Sequence, residues 1–506
     1  MPRKSWLLIL PIVIVLFVNT TTKNHVCDHE APISDEERVK LSPDIRDRMV
    51  KALEFKTISV EDGMEDIYSN EFVKFWHYIY EQYPRIFSSE DPDVQVDRIE
   101  FENGKETIVV IIEGTDRTLK PGLFISHADV VPAIRKEWTH DPFKPFVTED
   151  FVQARGAYDC KSILMAQLEA LHALLLNGEK PPRKTYFLFP HDEEVGGFGA
   201  QEAAKIFRER YNIQSDGFAF IIDEGMPPIR NGLPGVTKPL LTIGYTAKGY
   251  LTVELTVNYA KVGHASIPEK ESSITILSDA LSRINANPQP NQFGKSIEVE
   301  MMEGLVPYLP WTIKPVIANL WLFRPLVALA ANFDKQMNAF FRTTSAITIF
   351  NAGYKSNVIP IQARAVVNHR IHPGQTISQV LEHLERVIDD DRVLITQEEG
   401  ALEADKVTPR DSLYGRKIVH SLNRTIKDII AIPGIFLAAC DARWLQDFSD
   451  HIFRFYPFVM EKEDLPGIHG REEKLRWQSY EDGINFYLDF FRHMDENDLP
   501  PGHTEL

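Results

Sequence analysis

Cysteine is scarce in this chain of 506 residues. Cys27, Cys160 and Cys440 are too few, and odd in number, for a disulfide framework. Cys160 and Cys440 read instead as buried thiols. Positive charge is short as well: 55 Lys and Arg face 73 Asp and Glu, a net charge of −18. That excludes a nucleic-acid partner, because phosphate binding needs a basic surface. There is no repeat of fixed period and no long low-complexity tract. An uninterrupted apolar run of the ~20 residues that span a membrane is also missing. Leu305 to Ala331 comes closest, but Pro307, Pro310, Pro315 and Pro325 break it, and Lys314 and Arg324 lie inside it. It reads as a greasy surface lobe.

What is present fits a globular protein with room for two or three full cores. At the N-terminus Arg3 and Lys4 precede an apolar core from Trp6 to Val18, followed by Asn19-Thr20-Thr21-Thr22. Roughly 13 apolar residues suit a signal peptide better than a span. Residues 1–22 are therefore expected to be a signal peptide, with an uncleaved anchor as the alternative. Asn423-Arg424-Thr425 is a candidate glycosylation acceptor, which would make the product a glycoprotein. The last four residues, His503-Thr504-Glu505-Leu506, resemble an endoplasmic-reticulum retention signal. Together these point to the secretory pathway, either secreted or in the endoplasmic reticulum lumen.

Residues 23–44 form a polar lead-in. Helical spacing marks Pro43 to Lys56, Ser69 to Tyr83 and Ser162 to Asn177, the last stopped by Gly178. Buried-strand runs lie at Thr107 to Glu113, Gly122 to Ser126, Thr185 to Phe189 and Phe218 to Ile222. Strands alternating with helices predict an α/β fold with a mixed, partly parallel sheet over 45–246. From about Gly249 the order becomes strand, helix, strand, strand, helix, strand, at Tyr250–Val257, Ser272–Asn285, Ser345–Ile349, Ala363–His369, Ile377–Ile388 and Val393–Thr396. That is a small α+β, ferredoxin-like domain over 247–399. It is inserted into the catalytic domain, which resumes over 400–506.

Four acidic or histidine-bearing stretches follow apolar runs: Ser126-His127-Ala128-Asp129, Arg155-Gly156-Ala157-Tyr158-Asp159, His191-Asp192-Glu193-Glu194 and Asp223-Glu224. By the strand reading they collect at the carboxyl ends of parallel strands, where ligands bind. Carboxylates and imidazoles beside apolar strands need compensation, and a pair of divalent metal ions supplies it for several at once. One histidine after a strand is usually a packed polar residue, and two adjacent glutamates usually open a helix. The joint pattern, with Gly196-Gly197 following, is harder to explain that way.

These stretches, with Trp138-Thr139-His140-Asp141-Pro142-Phe143, Gly263-His264-Ala265-Ser266, Asn357-Val358-Ile359-Pro360 and Gly467-Ile468-His469-Gly470, resemble the motifs of one family. It is the di-zinc amidohydrolases that include aminoacylase, carboxypeptidase S, carnosine dipeptidase and the glutamate carboxypeptidases. The likeness runs from about residue 45 to 492. It is strongest to the secreted branch that makes and cleaves N-fatty-acyl amino acids, and next to carboxypeptidase S.

The resemblance implies two zinc ions per subunit. His127 and Asp223 would hold one, Glu194 and His469 the other, and Asp159 would bridge them. Such ligands suit zinc, and two ions can share a carboxylate. Glu193 would be the general base, moving a proton from the attacking water to the leaving amine. Asp129 would fix the tautomer of His127. His264 would stabilise the oxyanion, usually in the active site of the other subunit, so the inserted domain doubles as a lid and the place of homodimer contact. Arg370 would clamp the substrate α-carboxylate, and Asn357 would help hold the acyl oxygen or that carboxylate. Two positions depart from the family pattern. Cys160 stands where an acidic or apolar residue is common and is expected to pack as a small residue. Cys440 replaces a threonine, while Asp441 and Arg443 match.

The activity so implied is zinc-dependent cleavage, and the reverse formation, of the amide bond of N-acyl and especially N-fatty-acyl amino acids. The acyl chain would lie on apolar walls such as the Leu305 to Ala331 lobe, with a dimer contact as the alternative role of that lobe. The alternatives are a carboxypeptidase or dipeptidase that releases a C-terminal residue, and a non-catalytic binding protein on the same scaffold.

Overall fold

The structure, a computed structural model, describes residues 15–23, 31–60, 66–88, 90–101, 104–259 and 263–497. The first 14 residues of the expected signal peptide, Cys27 and the terminal His503-Thr504-Glu505-Leu506 lie outside them.

A ten-stranded mixed sheet forms the centre. Its strands Thr185–Phe189, Gly122–Ile125, Phe220–Met226 and Ile452–Phe455 are neighbours in that order and run parallel. Their apolar runs are continuous rather than alternating because both faces are covered. Ile108, Val110, Ile112 and Phe124 enter one core, together with the helices Lys161–Leu176 and Trp477–His493. Val109, Ile111, Leu123 and Ile125 enter a second, against the helix Phe198–Glu209. Successive side chains on a strand point to opposite faces, which divides one sequence between two cores. Lys161–Leu176 is buried over most of its length and ends before Gly178, at φ 71°.

A second sheet is built from residues between 249 and 397. Its strands Thr344–Ala352, Gln362–Ile371, Gly249–Asn258 and Val393–Gln397 pair antiparallel in that order. The helices Ser273–Ala286 and Ile377–Ile388 bury Ile276, Leu277, Val380 and Leu384 against one face. Each begins with a capping box, at Ser272 and at Thr376. Between the first two of those strands in sequence, residues 298–341 form a lobe of short helices. Its inner side packs on Ile430 and Ile432 of the large sheet. Among the described residues, no helix is long and apolar enough to cross a membrane.

Candidate metal centre

The four parallel strands end at one edge of the sheet, and the chain turns outward there. Past Ile125 comes His127, past Phe189 come Glu193 and Glu194, Phe220–Met226 carries Asp223 and Glu224, and Tyr456 follows Phe455. Asp159 arrives from the turn before the helix Lys161–Leu176, and His469 from a loop more than 300 residues later.

Asp159 is the hub. Its Oδ1 lies 3.2 Å from His127 Nε2, and its Oδ2 lies 2.9 Å from His469 Nε2. Each oxygen therefore faces a different imidazole. His469 Nε2 is also 3.0 Å from Glu194 Oε2, and His127 Nε2 is 3.6 Å from Glu224 Oε1. Two groups of donor atoms result, His127–Asp159–Cys160–Glu224 and Asp159–Glu194–His469, each gathered within 4.8 Å. They share only Asp159.

One expected ligand makes other contacts: among the described residues no hydrogen bond or ion pair joins His127 to Asp223. Its Oδ1 accepts from the amide of Glu224 and its Oδ2 from that of Ala442, 2.7 Å away. Glu224 points into the cluster instead. The strand continues to Met226, so neighbouring residues face opposite ways, and the pairing with Ile452–Phe455 shifts register beyond Asp223. The strand reading ended at Ile222 and missed this alternation.

Asp129 is fully buried, with Oδ1 3.2 Å from His127 Nδ1. It also accepts the backbone N–H groups of Glu193 and Glu194, each at 3.2 Å, and the Ser59 hydroxyl at 2.6 Å. One carboxylate thus fixes both the imidazole and the turn that presents the two glutamates. Glu473 plays the matching part on the other side. It accepts from Arg155 Nη1 at 2.7 Å and from the amides of Gly156, Tyr158 and Asp159 at 3.0, 2.7 and 2.9 Å. Four residues past His469, it ties the His469 loop to the Asp159 turn. The Tyr456 hydroxyl sits between Asp159 Oδ1, 3.0 Å away, and Glu224 Oε2. Sequence reasoning missed Glu224, Glu473 and Tyr456. Glu473 carried no local signal, because its partners are 314 to 318 residues away.

The electrostatics show a site short of positive charge. Burial, and then the charge of Glu224, pushes Glu193 up to about 8. Burial and Asp159 push Glu194 to about 7 and Glu224 to about 8. Burial also acts to raise Asp159, but hydrogen bonds with both histidines hold it well below the carboxylate range. Its hydrogen bond to Asp159, and then that to Glu194, raise His469 to about 11. Three carboxyl groups that resist ionisation, around imidazoles and one shared carboxylate, are a donor set that divalent cations fit. Cys160 lines the first group fully buried, and burial keeps its thiol neutral.

The residues from the smaller sheet are less tightly joined to this centre. Arg370, half-buried, stacks on Tyr250 with its guanidinium carbon 5.0 Å from the ring. Burial lowers its pKa, and Arg443 and Glu193 act on it electrostatically. Arg443 Nη1 is 4.0 Å from Glu193 Oε1. His264 and Asn357 are brought to each other, with Asn357 Nδ2 3.4 Å from His264 Nε2. Both sit on exposed loops, and His264 Nδ1 contacts Ser266 Oγ at 2.7 Å. Among the described residues, no hydrogen bond or ion pair links them to the Asp159 cluster.

Comparison with known proteins agrees with this geometry. The model of peptidase family M20/M25/M40 matches residues 123–493, more than half of the chain. The N-fatty-acyl-amino acid synthase/hydrolase PM20D1 of Xenopus tropicalis is 34% identical over 467 residues, 91% of this chain and 88% of that protein. A probable carboxypeptidase S-like 2 of Dictyostelium discoideum is 33% identical over 497 residues, 97% of this chain and 93% of that one. Among solved structures, the M20 family metallo-carboxypeptidase Sso-CP2 of Sulfolobus solfataricus shares the fold. Its TM-score is 0.61 at 19% identity, covering 89% of this chain and 99% of that one.

Proposed function

Because the chain belongs to peptidase family M20/M25/M40, whose members hydrolyse amide or peptide bonds, we propose that it cleaves N-acyl amino acids, with a fatty acyl group as the preferred acyl part. One observation carries the reading: Asp159 turns one oxygen to each of two donor groups, with Glu193 beside them and not among their donor atoms. Two zinc ions would be held by His127, Asp159 and Glu224, and by Asp159, Glu194 and His469. When bound, such ions supply Lewis acidity to the amide carbonyl and acidify water.

The chain's own residues do the rest. Glu193 takes the proton of the attacking water on a carboxylate oxygen and delivers it to the departing amine nitrogen. Asp129 holds the Glu193 and Glu194 amides and the His127 ring, so the base starts from a fixed position. Arg370 meets the substrate α-carboxylate with a guanidinium that has no carboxylate partner among the described residues, while Tyr250 supports its face. His264 and Asn357 complete the site in a homodimer, reaching across to hold the oxyanion and the acyl oxygen. The exposed edge strand Thr344–Ala352, with Ile347, Ile349 and Phe350 uncovered, supports pairing of two smaller sheets. This assigns residues 247–399 as lid and dimer contact, inserted between catalytic segments 45–246 and 400–506.

The same site joins a fatty acid to an amino acid when concentrations favour synthesis. The basic-then-apolar N-terminus and the terminal His-Thr-Glu-Leu support a place in the secretory pathway. The carboxypeptidase S-like relative supports a second reading, release of a C-terminal residue from a peptide. Turnover of N-oleoyl-phenylalanine against a panel of dipeptides decides between them. Faster cleavage of the oleoyl compound, abolished in Glu193→Gln, is expected. Cleavage of dipeptides alone would replace the first reading with the second.

A further inference from the structure

The helix Leu320–Ala330 is apolar on two sides. Leu320, Val327 and the following Ala331 point inward and are buried. Leu322, Leu326, Leu329 and Phe333, spaced four, three and four apart, form an outward stripe that solvent reaches, with Phe333 87% exposed. Trp321, at 59%, and Trp311 flank the same lobe. Isolated exposed apolar residues are ordinary, but an aligned row of this size calls for something to cover it.

Charge narrows the choice of cover. The chain carries −18 overall, yet residues 311–333 contain no Asp or Glu, and their only charged residues are Lys314 and Arg324. The N-terminus narrows it further. Residues 15–22 are helical and seated on this lobe: Asn19 Nδ2 donates to Asn319 Oδ1 at 3.0 Å, and Asn319 Nδ2 donates to the Leu16 carbonyl at 3.2 Å. Val15, Phe17 and Val18 are exposed there, and they end the apolar run that starts at Trp6. That run is too short to span a bilayer, at about 1.5 Å per residue against a core of ~30 Å. Tryptophan prefers to sit at a membrane interface.

We infer that the outer face of the lobe, Trp311 to Phe333, is a docking surface for a phospholipid bilayer, extended by the helical end of the N-terminal run. The stripe enters the acyl boundary, and the absence of carboxylates spares it repulsion from lipid phosphates. The surface is independent of the metal centre, so its test stands apart from that of the hydrolase reading.

The test is flotation of the full chain with vesicles of phosphatidylcholine and phosphatidylserine, wild type against Leu326→Glu/Leu329→Glu/Phe333→Glu. A milder Leu326→Ser/Phe333→Ser variant guards against misfolding, and the melting temperature with the far-ultraviolet circular dichroism spectrum reports an intact fold. Wild type should float, and the variants should lose about tenfold or more in vesicle partitioning with melting temperature and spectrum unchanged. Equal flotation of all three proteins overturns the inference, as does a wild type that never floats. A wild-type dimer that the variants turn into monomer, with no flotation, assigns the stripe to a second copy of the chain and overturns it too.

Discussion

The carboxyl edge of the large sheet and the loops of the smaller sheet hold their functional residues in different ways. At the sheet edge a dense set of hydrogen bonds joins the candidate residues to one another. Asp129 alone takes two backbone amides, a hydroxyl and an imidazole, and Glu473 takes three amides and a guanidinium. In the smaller sheet, His264 is exposed and Asn357 partly buried, and their side chains contact each other and Ser266. The first region is preorganised within one chain, and no hydrogen bond or ion pair among the described residues joins His264 or Asn357 to it. Substitutions of the donor residues and their supports in the first should therefore change metal binding and chemistry together, whereas those in the second, like that of the base Glu193, should change chemistry alone.

The largest effect falls on the hub. Asp159→Asn should drop turnover to background and remove most bound metal, read by elemental analysis of zinc-replete protein. Glu193→Gln should keep the metal and lower kcat by ~10²–10⁴-fold, the usual weight of a general base. A kcat near wild type would end its assignment. Glu224→Gln against Asp223→Asn decides which of these neighbours on the strand is the ligand. The first should weaken metal binding strongly, and the second should leave it nearly intact, because Asp223 is spent on backbone amides. Glu473→Gln should cost about 10–100-fold in metal affinity by loosening the Asp159 turn.

For the second region, His264→Ala should lose turnover while binding as much metal as wild type. Mixing it with Glu193→Gln should restore activity in up to about a quarter of sites, as twofold pairing allows. No recovery would place His264 within its own chain's site.

The smallest effect concerns pH. Glu193, Glu194 and Glu224 have folded values of about 8, 7 and 8 against 4.5 in the open chain, so the folded state holds their protons more tightly. His469, at about 11 against 6.5, does the same. Both shifts make the metal-free fold lose stability as pH rises, the carboxyls from about 4.5 to 8 and the histidine above about 6.5. The melting temperature of metal-free protein should fall from pH 6 to 8, and zinc should abolish the fall. A rise over that range would contradict the charge balance described for the site.

How much the sequence revealed follows the same division. Thr185–Phe189 and Ile377–Ile388 were legible to the residue, because a buried run and a capped periodic helix carry their own boundaries. Leu240–Ala247 and Ile430–Phe436 were not. The second contains Pro433 and Gly434, strand breakers tolerated because it pairs with only one neighbour. At the site, motif positions gave His127, Asp129, Asp159, Glu193, Glu194 and His469 as a set that the fold brings together. The Asp223–Glu224 choice needed the strand's actual end, and Glu473 and Tyr456 needed contacts across some 300 residues. The mutual contact of His264 and Asn357 was equally invisible.

The most direct test of the central claim is a crystal structure of zinc-replete protein with anomalous data at the zinc edge. It should show two peaks about 3.5–4 Å apart astride Asp159, with Glu224 and His127 on one and Glu194 and His469 on the other. A single peak, or a pair that does not share Asp159, would contradict it.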